Sequence, residues 1–160
     1  MVAMSDSRLE RGQFWLEELL RLANIPAAVK AEVQEDCFWL TMEATNLTPE
    51  QIKNLIGPRG TVLDAIQYLA NAVLNIGQDS EVQAAYTVEL NGYRVQRQEE
   101  LLAMAEMAAF QVRKSGQEYE LRELSSAERR QIHNFLKDCD DLDTYSRGQE
   151  PDRRLVVRLR

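Results

Sequence analysis

Two glycines, at positions 57 and 60, constrain this 160-residue chain more than any other feature. They sit in Leu55-Ile56-Gly57-Pro58-Arg59-Gly60-Thr61, between two segments with helical apolar spacing. The first, residues 48–56, opens with Thr48-Pro49-Glu50, an N-cap followed by proline at the first helical position. Its apolar face is Ile52, Leu55 and Ile56. The second, residues 61–75, carries Leu63, Ile66, Leu69, Ala70 and Val73 at i, i+3, i+4 spacing. So short a connection must turn tightly, and glycine lets backbone approach a ligand with no Cβ between them. The N–H groups that open the second helix favour an anion such as phosphate. An ordinary link between two helices would use the same glycines, so the flanking elements must decide between the readings.

The flanks give an order. Residues 7–23 predict a first helix with Phe14, Leu16, Leu19, Leu20, Leu22 and Ala23 as its stripe, stopped by Asn24-Ile25-Pro26. Residues 28–34 alternate as a half-buried strand, Glu35-Asp36 turns, and residues 37–44 return. In the returning strand Phe38, Leu40 and Met42 face one way and Cys37, Trp39 and Thr41 the other. Trp39 has two readings, a platform for a stacked base or packing under the first helix. After the glycine turn and its helices, Tyr86, Val88 and Leu90 alternate in a third strand closed by Asn91-Gly92. Helix, strand, strand, helix, Gly-x-x-Gly, helix, strand is the order of a type II KH domain, whose loop clamps about four nucleotides of a single strand.

A second unit starts near Tyr93. Residues 94–114 predict a long helix ended by Ser115-Gly116. Tyr119 and Leu121 mark a short strand. Ser125 to Glu128 matches a capping box for a helix running to about Lys137. Ile132, Phe135 and Leu136 form its apolar face. Arg129 and His133 lie side by side at the edge of that face, and Arg130 and Lys137 extend the basic strip outward. Asp138, Asp140, Asp141 and Asp143 lack the glycine and regular alternation of a calcium loop and read as a solvated turn. Residues 144–151 read as strand then turn, and 153–160 as a final strand with Leu155, Val157 and Leu159 inward.

Charge has to be read by segment. The net charge is −7, which argues at first against a polyanionic partner. Residues 1–92 hold 6 basic and 13 acidic side chains and so carry the whole excess, while residues 93–160 hold 13 of each. Of the 19 basic residues 15 are arginine, whose planar fork suits phosphate and stacks on bases. Weak, salt-sensitive binding to single-stranded nucleic acid is therefore compatible with the overall acidity. Cys37 and Cys139 have no metal or redox spacing and read as reduced thiols. No run approaches a membrane helix, and Met1 to Gln13 has no apolar signal core, which predicts a cytoplasmic protein.

Gly57-Pro58-Arg59-Gly60 with Leu63-Asp64-Ala65-Ile66-Gln67-Tyr68-Leu69 resembles the KH domain of the Jag family, also called KhpB or SpoIIIJ-associated protein. Tyr93-Arg94, then Glu128-Arg129-Arg130-Gln131-Ile132-His133, then the run from Ser146 to Arg154 resemble its C-terminal R-three-H domain. That domain is named for the arginine and histidine that here are Arg129 and His133. The resemblance implies an α+β chain of two small domains, each with helices on a three-stranded sheet: a type II KH domain over 7–92 and an R-three-H domain over 93–160. It implies a bacterial cytoplasmic RNA-binding protein, an RNA chaperone or post-transcriptional regulator tied to cell-envelope control, with a small single-KH partner of the KhpA type. Two departures stand out. Many members carry an N-terminal Jag domain and linker, which this sequence is expected to lack. Pro58 stands where members commonly have a basic residue, and proline removes a charge and an N–H donor.

The expected nucleic-acid-binding residues are Gly57, Pro58, Arg59, Gly60 and Thr61 in the first unit and Arg129, Arg130, His133, Lys137, Arg153 and Arg154 in the second. No cofactor or metal is expected. One histidine, no carboxylate pair beside a nucleophile and no ligand spacing argue against an enzyme. The expected partner is single-stranded RNA, with single-stranded DNA as a variant. The alternative is a protein-interaction module with lost or weak RNA binding. The short junction near residues 92–94, with no Gly/Ser linker, predicts a restricted domain orientation.

Overall fold

The computed structural model describes residues 2–160, with side chains from Ser7 onward. The chain divides into two compact units, Met1–Arg94 and Val95–Arg160. The first holds α1 (Val2–Leu22), β1 (Val29–Gln34), β2 (Cys37–Met42), α2 (Pro49–Ile56), α3 (Thr61–Asn75) and β3 (Tyr86–Leu90). The second is built on α4 (Tyr93–Ser115), whose first residues belong to the first unit, with β4 (Tyr119–Leu121), α5 (Ser126–Leu136), β5 (Leu142–Arg147) and β6 (Arg154–Leu159). The class is α+β with a three-stranded sheet in each unit, as the sequence predicts.

In the first unit the sheet order is β1-β2-β3, antiparallel between β1 and β2 and parallel between β2 and β3. Strand alternation sends Phe38, Leu40, Met42, Tyr86 and Val88 into one core with Leu16 and Leu20 of α1 and Leu63, Ala70 and Leu74 of α3. Trp39 is half-buried on the other face of β2 and is no part of that core, so it does not pack under α1. The predicted stripes are also narrower than expected. Phe14 and Leu22 of α1 stay exposed, and so do Leu69 and Val73 of α3. On α3 and its C-cap the exposed residues Val62, Leu69, Val73 and Ile76 recur at spacings of seven, four and three.

The free side of β3 meets amide side chains rather than another strand. Gln67, Asn71 and Asn75 sit one turn apart on α3. The Gln67 Oε1 accepts from the Val88 N–H at 3.0 Å. Asn75 donates to the Ala84 carbonyl and accepts from the Ala84 N–H, both at 2.8 Å. Asn71 does the same for Tyr86. The backbone groups of alternate residues are thus satisfied by a helix, which removes the cost of leaving them unpaired.

In the second unit the sheet order is β4-β6-β5, antiparallel throughout. Leu121, Leu142, Leu155 and Val157 face α4 and α5 in a separate core with Leu101, Ala105, Ala108, Val112, Ile132 and Leu136. Ala105, Ala108 and Ala109 make up much of the buried stripe of α4. The opposite face of the sheet is ionic. Arg147 pairs with Glu118 and Glu120, Arg154 with Glu120, and Arg158 with Asp143. Of the aspartates after α5, Asp141 is also tied to arginine, to Arg113 at 2.6 Å. Among the described residues no group of three His, Cys, Asp or Glu side chains is placed to hold a metal ion, and no helix is long and apolar enough to cross a membrane.

Candidate nucleic-acid interface

The N-terminus of α5 organises the second unit's site. Ser125 accepts from the Glu128 N–H at 3.2 Å, and Glu128 accepts from the Ser125 N–H at 2.8 Å, which is the predicted capping box. Glu128 also accepts from Arg97 Nε of α4 at 2.8 Å. This fixes where the helix starts, and with it the direction in which the next residue points.

Arg129 points inward. The sequence reading put it at the rim of the apolar face, but only 4% of it is exposed. The buried residues of α5 are Arg129, Ile132 and Leu136, while Phe135 is half-buried. The buried face of α5 therefore runs through Ile132 and Leu136 and takes in Arg129, with Phe135 at its edge. Its guanidinium donates to the Leu124 carbonyl at 2.6 Å and to the Arg153 carbonyl at 3.3 Å, and it pairs with the Glu150 carboxylate. A buried cation needs such partners.

His133 follows one turn later and is exposed, with Nδ1 hydrogen-bonded to the Thr144 hydroxyl of β5. That bond uses one ring nitrogen and fixes the ring's tilt; Nε2 plays no part in it. Arg130 and Arg153 are both exposed. Ser126, Arg129, Arg130, His133, Thr144, Tyr145, Ser146, Arg153 and Leu155 surround one open cavity of about 380 Å³. No carboxylate is among them. For a chain with a net charge of −7, a wall of arginine, histidine and hydroxyls is a local reversal of sign.

Two predicted residues lie elsewhere. Lys137 is the exposed C-cap of α5 and does not border the cavity. Arg154 lies on the ionic face of the sheet, bound to Glu120 at 2.9 Å. Arg153, just ahead of β6, borders the cavity and Arg154 does not. The sequence reading missed Ser126, Thr144 and Ser146. The Thr144 and Ser146 positions were open to it, because alternation along β5 puts both on one face; Tyr145, which also borders the cavity, was missed too.

In the first unit the Gly57 to Gly60 turn is as tight as expected. Gly57 has φ 74°, Arg59 φ 55° and Gly60 φ 77°, and α3 starts at Thr61, whose hydroxyl donates to the Pro58 carbonyl at 2.9 Å. A Cβ on Gly60 would lie 2.4 Å from the Tyr93 ring, and one on Gly57 would lie 2.5 Å from Val62. Both glycines are therefore required by packing as well as by backbone conformation. Lys53, Asn54, Gly57, Pro58 and Val62 border an open, mostly apolar cavity of about 380 Å³. Arg59 is exposed beside it, Thr61 is exposed, and Gly60 is buried.

A capped helix over a three-stranded antiparallel sheet, with Arg129 and His133 one turn apart, defines the class of the second unit. Residues 99–159 match the R-three-H domain. Longer stretches of the chain match relatives. It is 29% identical over 146 residues to the RNA-binding protein KhpB of Clostridium symbiosum, covering 91% of this chain and 64% of that one. It is 35% identical over 116 residues to the RNA-binding protein KhpB of Bacillus subtilis, covering 70% and 54%. The KhpB of Lactiplantibacillus plantarum is 33% identical over 106 residues, with 66% of this chain and 32% of the relative covered. The chain belongs to the KhpB (Jag) family. It spans less than two thirds of the length of the curated relatives it matches.

Proposed function

We propose that the protein binds single-stranded RNA without catalysis, as an RNA chaperone or post-transcriptional regulator of the bacterial cytoplasm. The carboxylate-free basic cavity beside α5 carries this reading. Arg130, Arg153 and the His133 ring offer donors to backbone phosphate, and the hydroxyls of Ser126 and Ser146 add neutral ones. The first unit, read as a type II KH domain over residues 7–92, adds a glycine turn that opens a helix beside Lys53 and Arg59. The R-three-H domain is read over 93–160. The names of the relatives, RNA-binding proteins, support the same conclusion.

A titration of fluorescent single-stranded RNA across a salt series tests it. With three to five phosphate contacts, log affinity should fall against log salt with a slope of about −2 to −4. Absence of binding at low salt sinks the reading, and parallel single-stranded DNA shows whether the sugar is read. A second reading, a protein-interaction module docking a small single-KH partner, draws on the exposed apolar residues Val62, Leu69 and Val73 of α3 and Ile76 at its end. It takes over if RNA fails to bind while such a partner co-elutes with the chain.

A further inference from the structure

We infer, resting on the RNA-binding reading, that Arg129 is a positioning residue. It ties the turn ahead of β6 to α5 and so sets Arg153 on the cavity wall, while Arg130, His133 and Arg153 meet the phosphate.

The contacts of Arg129 divide between two segments. Leu124, whose carbonyl it holds at 2.6 Å, leads into α5. Glu150 and Arg153, its other partners, flank the turn between β5 and β6. The guanidinium fork thus bridges the start of the helix and a turn more than twenty residues later in the chain. Its charge is met by the Glu150 carboxylate. The Arg153 side chain is exposed at the cavity, whereas its own carbonyl is held by Arg129. That bond sets the rotation of the backbone at residue 153. Arg153 borders the cavity, while Arg154, the first residue of β6, meets Glu120 on the far face.

The competing role, Arg129 as a direct phosphate ligand, predicts the opposite sign for one substitution. The Glu150 side chain is 59% exposed, so Glu150→Ala removes a surface carboxylate without emptying the core. If Arg129 binds phosphate, removing its carboxylate partner frees a cation and tightens RNA binding. If Arg129 positions the turn, the same change loosens Arg153 and weakens binding, although the protein has become less negative.

The experiment uses the full chain, a fluorescent single-stranded RNA oligonucleotide and a salt series, with Glu150→Ala, Glu150→Gln and Arg153→Ala. Glu150→Ala and Arg153→Ala should each bind about fivefold more weakly at about 0.1 M salt, with slopes shallower by about 0.7, the worth of one single-strand phosphate contact. Glu150→Gln keeps an acceptor oxygen and should fall between wild type and Glu150→Ala. In the RNA-free protein, amide exchange should quicken over residues 148–154 in Glu150→Ala and stay unchanged in the core of the unit. Equal or tighter binding by Glu150→Ala overturns the inference and leaves the RNA reading intact. Failure of the wild type to bind at low salt overturns the RNA reading instead. The exchange data then still decide whether Arg129 and Glu150 hold the turn, and unchanged exchange there refutes the tie outright.

Discussion

Asn71 and Tyr86 exchange two hydrogen bonds. The Asn71 Nδ2 donates to the Tyr86 carbonyl at 2.7 Å, and the Tyr86 N–H donates to Asn71 Oδ1 at 2.9 Å. A side-chain amide here does for the backbone what a neighbouring strand would do. Asn71→Ala leaves both groups of a buried residue without partners. Each such loss costs about 1–3 kcal/mol, so the variant should lose about 2–4 kcal/mol. Urea unfolding of the first unit's signal measures it; a loss under half a kilocalorie would mean that water replaces the amide.

The loop glycines are poor probes of binding. Gly60→Ala puts a Cβ against the Tyr93 ring at a positive φ, so it should destabilise the first unit by about 1–3 kcal/mol. The informative change is Pro58→Lys, which restores a charge and an N–H at an exposed position. RNA affinity should rise and the salt slope steepen by about 0.7. An unchanged slope in a folded variant places the RNA away from the loop.

Neighbouring arginines should behave differently. Arg153→Ala weakens RNA binding, because the side chain is on the cavity. Arg154→Ala, facing the other way and paired with Glu120, should leave RNA affinity within about twofold and lower the melting temperature only slightly, as ion pairs still open to solvent contribute little. Equal losses from the two substitutions would show that RNA contacts both faces of the sheet.

Acid should weaken the second unit. The carboxyl of Glu118 is held below its usual range by the Arg147 hydrogen bond, Glu120 by Arg154, Asp141 by Arg113 and Asp143 by Arg158. A group whose pKa is lowered on folding contributes stability above its unfolded value, and loses it as pH falls through the folded one. Melting temperature should therefore hold from pH 7 to about 5 and drop below about 4, where unfolded carboxylates take up protons first. Arg147→Ala should flatten that drop, and a pH-independent melt would remove these pairs from the account.

Much of this was open to a reader of the sequence. The element order, the Ser125 to Glu128 capping box and the Thr48 cap all depend on local chemistry, and the structure has them. What was not legible depends on segments distant in the chain. A helical wheel gives the angle between Arg129 and Ile132 but not the direction of the core. That direction comes from Leu124 and from the turn at 150–153. Leu69 and Val73 look like core because apolar spacing cannot reveal how wide a contact the sheet offers. The identity of the amides on α3 was visible, yet their job was not, since Gln67, Asn71 and Asn75 acquire it only when β3 returns beside them.

That row of amides gives the first sheet a growing end and a finished end. A further strand, from a second copy or from an unfolding neighbour, cannot add at β3 without first prying α3 away. Strand addition is thereby confined to β1, and any chain of such additions must stop after two molecules joined edge to edge. The first unit is built so that its sheet can pair but cannot polymerise.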